Sequence, residues 1–317
     1  MAETTENLFR EVKTRSLRGD AMRRMVANKL TLAGLIVAIG FFVLALIGPY
    51  VAPYSYTAQD YAHISETPSR EHLLGTDELG RDFLSRILYG ARTAFLVSFT
   101  VTVLSTTIGM ALGSMAAYAG GWVDGLVVRL IDVTMTIPSL LLAALAFTVL
   151  RKPLVPIMNR FIAWSGLPIR ETSIYLDYLI VIGAVALILW ESTARLIRGQ
   201  ILSLRNELYV DAARSIGATS TQILRRHVIP NAMGPVIVAI TFTMAGAITM
   251  ESSLSFLGIG IQPPGASWGA MINNALGVWR FKPWLLAAPA LVLGFVTLGI
   301  MFLGDGLNDA LNPKLTK

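Results

Sequence analysis

Six stretches of this chain run for twenty or more residues with almost no charge, and no other feature constrains its fold as much. They are Leu30–Ala52, Ala91–Tyr118, Leu126–Leu150, Tyr175–Leu196, Ala232–Leu257 and Trp284–Leu303. About 20 apolar residues in a helix cross the hydrocarbon core of a bilayer. In lipid every backbone N–H and C=O must find its partner inside the protein, which a helix provides for itself. Composition points the same way, with 54% hydrophobic and 15% charged residues and a mean hydropathy of +0.61, against about 25% charged in a soluble domain. The chain is therefore read as an all-α integral membrane protein with six transmembrane helices. The first run is too long for the roughly 7–15-residue core of a signal peptide and lacks a small-x-small cleavage site, so it is kept as a span.

Six spans put both termini on one side, and the Lys and Arg residues choose which. With the N-terminus inside, the inner side holds Arg10, Lys13, Arg15, Arg18, Arg23, Arg24 and Lys29, then Arg129, six arginines from Arg195 to Arg226, and two tail lysines, 16 of the 26 basic residues. The other ten fall outside. The expected arrangement is multi-pass, with N- and C-termini cytoplasmic. Residues 1–29 form a cytoplasmic segment, 30–313 the six-helix membrane domain and 314–317 a tail. Cysteine is absent, which removes disulfides and thiolate metal sites.

One inner loop, residues 197–231, is not linker-like. Tyr209, Val210, Ala213 and Ile216 recur at one-turn spacing, Gly217 is placed to end a short helix, and Ser220 to cap a second, with Pro230 as a break before the fifth span. The pattern resembles a helix–turn–helix. A recognition helix needs room to enter a groove about 12 Å wide, and this one is tethered to the bilayer at both ends, so nucleic acid is excluded as a partner. A lipid surface and a groove on a soluble partner both remain open on pattern alone.

The string Asp211-Ala212-Ala213, three residues, Gly217, nine residues, His227-Val228-Ile229-Pro230 resembles, spacing for spacing, the Glu-Ala-Ala loop of binding-protein-dependent ABC importer permeases. Asp211 stands for Glu, His227 for Ile and Ile229 for Leu. His227, Pro230 and Asn231 resemble the oligopeptide and dipeptide branch, as do "LLGTDELGRDFLSRILYGAR" (73–92), "ARLIRGQILSLRNELYVDAA", "ESSLSFLGIGIQPPGASWG" and "GDGLNDALNP" (304–313). The resemblance implies a type I permease fold with a cytoplasmic coupling helix that docks on an ATPase through Tyr209, Asp211, Ala212, Ala213, Ile216, Gly217, Ala218 and Arg225. It implies as partners a homologous second permease, two ABC ATPase subunits carrying the ATP and Mg, and an extracytoplasmic peptide-binding protein. No Gly-x4-Gly-Lys-Ser/Thr string exists here, so the chain is not the ATPase; the resemblance implies a transport subunit, not an enzyme, with no cofactor of its own. The same machine importing nickel chelates or glutathione is the nearest alternative. A stand-alone secondary transporter is the next, and it predicts inverted repeats and broken helices.

Charges inside spans are costly and invite a role. Arg129 with Asp132, and Glu191 with Arg195, are spaced to pair along their own helices. Glu251 has no cation three or four residues away, so Glu251, Ser252 and Ser255 are candidates for the translocation pathway. Asp77, Arg81 and Asp82 lie in a glycine-punctuated outer loop, read as ion-paired packing or as an outer gate and binding-protein contact. No metal site is expected, since His63, His72 and His227 are distributed over both sides of the membrane. Gly109, Gly113, Ala117 and Gly121 form a small-residue stripe that lets a neighbouring helix approach, and Pro138 is expected to kink the third span.

Overall fold

A computed structural model of the chain describes residues 25–165 and 172–311. It is all-helical apart from one isolated bridge between Thr76 and Asp82. The basic residues ahead of Met25 and those of the tail, and Arg170, lie outside the described residues. Among the described residues six helices are long and apolar enough to cross a membrane. They are α1 (Lys29–Val51), α2 (Phe83–Ala119), α4 (Ser139–Ser165), α5 (Thr172–Leu204), α8 (Ile229–Phe256) and α10 (Pro283–Leu311). Between them lie the shorter α3 (Gly121–Thr136), α6 (Leu208–Ser215), α7 (Ser220–Ile223) and α9 (Trp268–Ala275).

Helix starts follow local capping. Asn28 Oδ1 accepts from Leu30 N at 3.0 Å and opens α1. Asp82 Oδ2 accepts from Ser85 N at 2.8 Å and opens α2 eight residues ahead of the expected Ala91, because the cap rather than the first apolar residue sets the boundary. The third expected span, Leu126–Leu150, is two helices. Proline disfavours the α region for the residue before it; Ile137 accordingly sits at φ −90°, ψ 131°, α3 ends at Thr136, and α4 restarts at Ser139. Pro138 thus breaks the segment where a kink was expected. In turn, α4 continues through Pro153 and Pro156 to Ser165, well past the Leu150 end expected for the span. Helix α10 likewise runs on past Leu303 to Leu311.

The bundle is organised around the α2–α5 pair, the most extensive helix contact in the chain. Gly109 and Gly113 face Trp190, Ala194 and Ile197 of α5 so closely that a β-carbon on Gly109 would lie 2.6 Å from the Trp190 carbonyl oxygen. The small-residue stripe acts as expected through Ala117, which is buried. It stops there, because Gly121 begins α3 with φ +52° and has nothing near it. A second close pair joins α1 to α10, where Gly34 meets the Gly299 carbonyl and Gly306 meets Thr31.

We call the end of the bundle holding residues 52–82 and 257–282 the distal end, and the opposite end, where α1 begins, the proximal end. The two distal segments are joined by Arg86, which donates to the Tyr56 and Gly265 carbonyls, and by Lys282 Nζ, which donates to the Ser65 carbonyl.

Candidate functional site

At the proximal end α5 stops at Leu204, and residues 205–228 form a compact hook before α8. Val210 and Ala213 on one face of α6 are buried in a cluster with Ile197 and Ile201 of α5, Ile223 and Val228 of the hook, Ala232 and Val236 of α8, and Ala117 of α2. Removing a Val or Ile side chain from water is worth about 1.5–3 kcal/mol each, so this cluster fixes α6 to both neighbouring spans. The opposite face is bare: Leu208 and Ile216 are each 86% exposed.

The end of α6 is a complete glycine cap. Gly217 has φ +85°, Ala218 N donates to the Ala213 carbonyl at 3.1 Å, and Gly217 N donates to the Arg214 carbonyl at 3.0 Å. This double bond pattern satisfies the last carbonyls of a helix and requires the left-handed conformation that glycine adopts without strain. The chain then turns into α7 through a reciprocal cap. Gln222 Oε1 accepts from Thr219 N at 2.9 Å, and Thr219 Oγ1 accepts from Gln222 N at 3.4 Å. The cap therefore falls on Thr219, one residue before the expected Ser220. Pro230 was expected to break the chain before the fifth span and does not. A π-helical turn, Leu224–Val228, joins α7 to α8, and Pro230 lies immediately after it, so the helix runs on through the proline.

The sequence-predicted residues thus sort by face. Tyr209, Asp211, Ala212, Ile216, Gly217 and Arg225 are exposed, whereas Ala213 is buried and Ala218 half-buried. Ala213 and Ala218 hold the hook to the bundle and do not themselves face outward. Asp211 accepts from Arg214 Nη1 at 3.2 Å in an exposed pair and stands in the first turn of α6, where the helix dipole favours a carboxylate. Sequence reasoning missed Leu208, although an apolar residue opening a short helix beside Glu207 and Asn206 was available as a signal.

The expected in-helix ion pairs are replaced by pairs between helices. Arg195 Nη2 donates to Asp132 Oδ1 at 3.0 Å, so neither Arg129–Asp132 nor Glu191–Arg195 forms as expected; Glu191 is buried. Arg198 grips Asp124 with two nitrogens, at 2.5 and 2.7 Å, tying α3 to α5 beside the hook. These hydrogen bonds hold the Asp124 carboxyl below its usual range.

Glu251, expected to line the pathway, is 1% exposed. Its Oε1 accepts from Ser255 Oγ at 2.9 Å and Ser267 Oγ at 2.8 Å, and its Oε2 from Ser252 Oγ at 3.2 Å. The sequence-predicted trio is therefore an internal clamp. It fastens the end of α8 to the start of α9, because a buried carboxylate without a cation needs hydroxyl donors, and Ser267 is the member sequence spacing did not suggest. Asp177 of α5, wholly buried, does similar work by accepting from Arg151 Nε of α4 at 2.9 Å and from Gln262 N at 3.2 Å.

The distal loop residues are also internal. Asp77 Oδ2 accepts from Arg81 Nε at 2.7 Å, and Asp82 Oδ1 pairs with His72 Nδ1 at 2.9 Å. Arg81 and Asp82 are buried and pack the loop, and on this segment Glu78 and Leu79 are exposed. No metal site was expected because the three histidines are distributed over both sides of the membrane, yet two of them are neighbours. His63 and His72 lie at the same distal end, with ring centres 6.0 Å apart.

Comparison with known proteins places this geometry. Residues 109–317 match the model of the family described as binding-protein-dependent transport system inner membrane component, and residues 16–68 match that of the N-terminal TM domain of oligopeptide transport permease C. The oligopeptide transport system permease protein of Bacillus subtilis (strain 168) is 36% identical over 305 residues, covering 96% of this chain and 92% of that one. The dipeptide transport system permease protein of the same organism is 38% identical over 303 residues, covering 94% and 86%. Among solved structures, inward facing conformations of the MetNI methionine ABC transporter align with a TM-score of 0.51 at 16% identity, covering 72% of this chain and 96% of that chain, a likeness of fold.

Proposed function

This chain belongs to the family of binding-protein-dependent transport system inner membrane components, and we propose that it forms half of a translocation pathway for di- and oligopeptides. It is a multi-pass membrane transport component and not an enzyme. In this reading the proximal end faces the cytoplasm with both termini, and the distal end receives cargo from an extracytoplasmic peptide-binding protein. A homologous second permease completes the pathway. Two ABC ATPase subunits supply ATP and Mg, and the hook at residues 205–228 is the coupling element that docks on one of them.

The observation that carries the reading is the two-faced α6. Its Val210 and Ala213 face is buried against α5 and α8, while Leu208 and Ile216 stand in the open. Exposed apolar side chains on a helix locked in place fit a groove on a folded partner. Because α6 shares one packed cluster with α5, α8 and α2, a displacement of α6 by a closing ATPase pair moves three spans together. ATP binding then turns the pathway outward, and hydrolysis lets it return.

Peptide cargo is supported by the oligopeptide and dipeptide relatives. A relative from Pectobacterium atrosepticum named a glutathione transport system permease protein is 37% identical over 285 residues, and glutathione is itself a tripeptide. The test is co-purification in mild detergent from the native membrane. Wild-type chain should bring down a Walker-type ATPase and a second six-span permease in near-equal amounts. Leu208→Glu with Ile216→Glu should lose the ATPase and keep the second permease, since both side chains are away from the core. Retention of the ATPase by the double variant would refute docking through this face.

A further inference from the structure

The distal loop brings Asp60, His63 and His72 together outside every element assigned above. One ligand atom from each lies within 4.8 Å of the others. We propose that these three side chains bind a divalent transition-metal ion of the zinc class, which clips the 52–82 segment onto the start of α2.

Asp82 is buried and ionised carboxylates only accept, so the 2.9 Å contact between its Oδ1 and His72 Nδ1 places the proton on Nδ1. Its other oxygen is held by Ser85 N at 2.8 Å and Ser85 Oγ at 2.7 Å, which leaves the carboxylate no freedom to turn away. Asp60 Oδ2 lies 2.7 Å from His63 Nδ1, side by side, so an ion replacing the proton between them takes both atoms as ligands. In the His72 ring Nε2 is left with its lone pair. A carboxylate behind one ring nitrogen and a free lone pair on the other is the arrangement that accompanies metal-ligating histidines, because it fixes the tautomer and raises the basicity of the ligating nitrogen.

Geometry and charge agree. Two imidazoles on one tetrahedral ion at a metal–nitrogen distance of about 2.0–2.1 Å bring their ring centres to roughly 5 Å, and here they are 6.0 Å apart at 55°. Closing that gap takes about 1 Å, within reach of His63 and Asp60, which are not buried. Asp60 is the third ligand, through the Oδ2 that lies beside His63 Nδ1, and a water completes four-coordination. Glu66 and Glu71 lie close enough to act on the His63 charge, while Asp77 takes up the nearby Arg81. The field at the site therefore suits a cation.

The frame is built before any ion arrives. Asp60 N donates to the Gly80 carbonyl at 3.0 Å, Ser65 N to the Asp77 carbonyl at 3.0 Å, and Glu66 N to Thr76 Oγ1 at 2.8 Å. Gly80 holds φ +70°, and a β-carbon there would run into the Asp60 carbonyl. The Tyr54 ring, 4.8 Å from that of His72, closes the other side. A site whose histidine is buried and held by a capping carboxylate is coupled to α2 itself, since Asp82 is also the first residue of that helix's cap.

The test uses purified full-length chain in detergent, without a polyhistidine tag and stripped with chelator, titrated with ZnCl2 by calorimetry and with CoCl2 by visible absorption. One zinc per chain is expected, with tetrahedral cobalt bands in the visible. His63→Ala should weaken zinc binding at least tenfold and abolish the bands, His63→Cys should restore a site, and His227→Ala, at the proximal end, should change nothing. Folding of each variant is checked by circular dichroism; His63 is partly exposed, so its loss leaves the bundle intact. Equal binding by wild type and His63→Ala, or none by wild type, overturns the proposal. No transport partner enters the measurement, so its failure leaves the importer reading standing.

Discussion

Replacing Gly109 by Ala probes the centre of the bundle with one methyl group. A β-carbon there would sit 2.6 Å from the Trp190 carbonyl oxygen, 2.7 Å from Thr193 Cβ and 3.0 Å from Ala194 N. Two of the three are backbone atoms of α5, so no side chain can swing aside; the helices must separate by about 0.8 Å to restore ordinary contact at ~3.4 Å, taking the shortest of these distances. A radial gap of 0.5–1 Å forfeits roughly a quarter to a half of each dispersion contact along the α2–α5 seam. Overpacking of this kind costs about 1–3 kcal/mol. Alanine recovers about 0.5–1 kcal/mol of backbone entropy in a helix, which leaves a net loss of roughly 0.5–2 kcal/mol. Gly40 in α1 has nothing within 4 Å of the equivalent position, so Gly40→Ala carries only the gain. The assay is reversible unfolding of the purified chain by SDS in mixed micelles, followed by tryptophan fluorescence, to which Trp190 reports directly, and by far-ultraviolet circular dichroism. Gly109→Ala should unfold at lower SDS mole fraction than the parent, and Gly40→Ala at the same or higher. If Gly109→Ala tracks Gly40→Ala, the close approach of α2 and α5 is wrong.

Three further outcomes use the same unfolding assay. Asp177→Ala leaves the Gln262 N–H without its acceptor and should cost about 1–3 kcal/mol, whereas Asp177→Asn keeps an acceptor and should cost less; the reverse order would sink the account of this residue as a link between α4, α5 and the distal loop. Glu251→Ala strands three serine hydroxyls and should destabilise by about 2–3 kcal/mol. Unchanged stability with abolished transport would instead return Glu251 to the pathway. At pH 7 Asp124→Asn should be less stable than the parent by at most ~1 kcal/mol, since the pair with Arg198 is partly exposed. The Asp124 carboxyl titrates below its unfolded value because Arg198 hydrogen-bonds it. Its contribution is therefore present above the unfolded value of about 4 and is lost as pH falls through the lower folded value. The gap between parent and Asp124→Asn should hold from pH 7 to about 5 and narrow below 4; a gap indifferent to pH refutes the ion pair.

Sequence alone determined what depends on neighbours along the chain. Span length and apolarity placed six membrane helices, because a helix satisfies its own backbone in lipid wherever about 20 apolar residues occur together. The hook was legible for the same reason: Gly217 ends α6 through bonds to Ala213 and Arg214, all within six residues. Even the glycine stripe of α2 declared that something must pack closely there. Pro138 was visible too, but whether it kinks or breaks depends on whether the flanking turns have other partners, and α3 found its own in Arg195 and Arg198 of α5. Those pairings, with Arg151–Asp177, Glu251–Ser267 and His72–Asp82, were decided by tertiary structure. Helical spacing ranks only partners on the same helix, three or four residues away, while a buried charge takes whichever donor the packing of two helices brings within 3 Å. The same limit hid the two faces of α6. Tyr209 to Ala218 read as one docking segment until the folding of α5 and α8 against Val210 and Ala213 left Leu208 and Ile216 as the residues facing out.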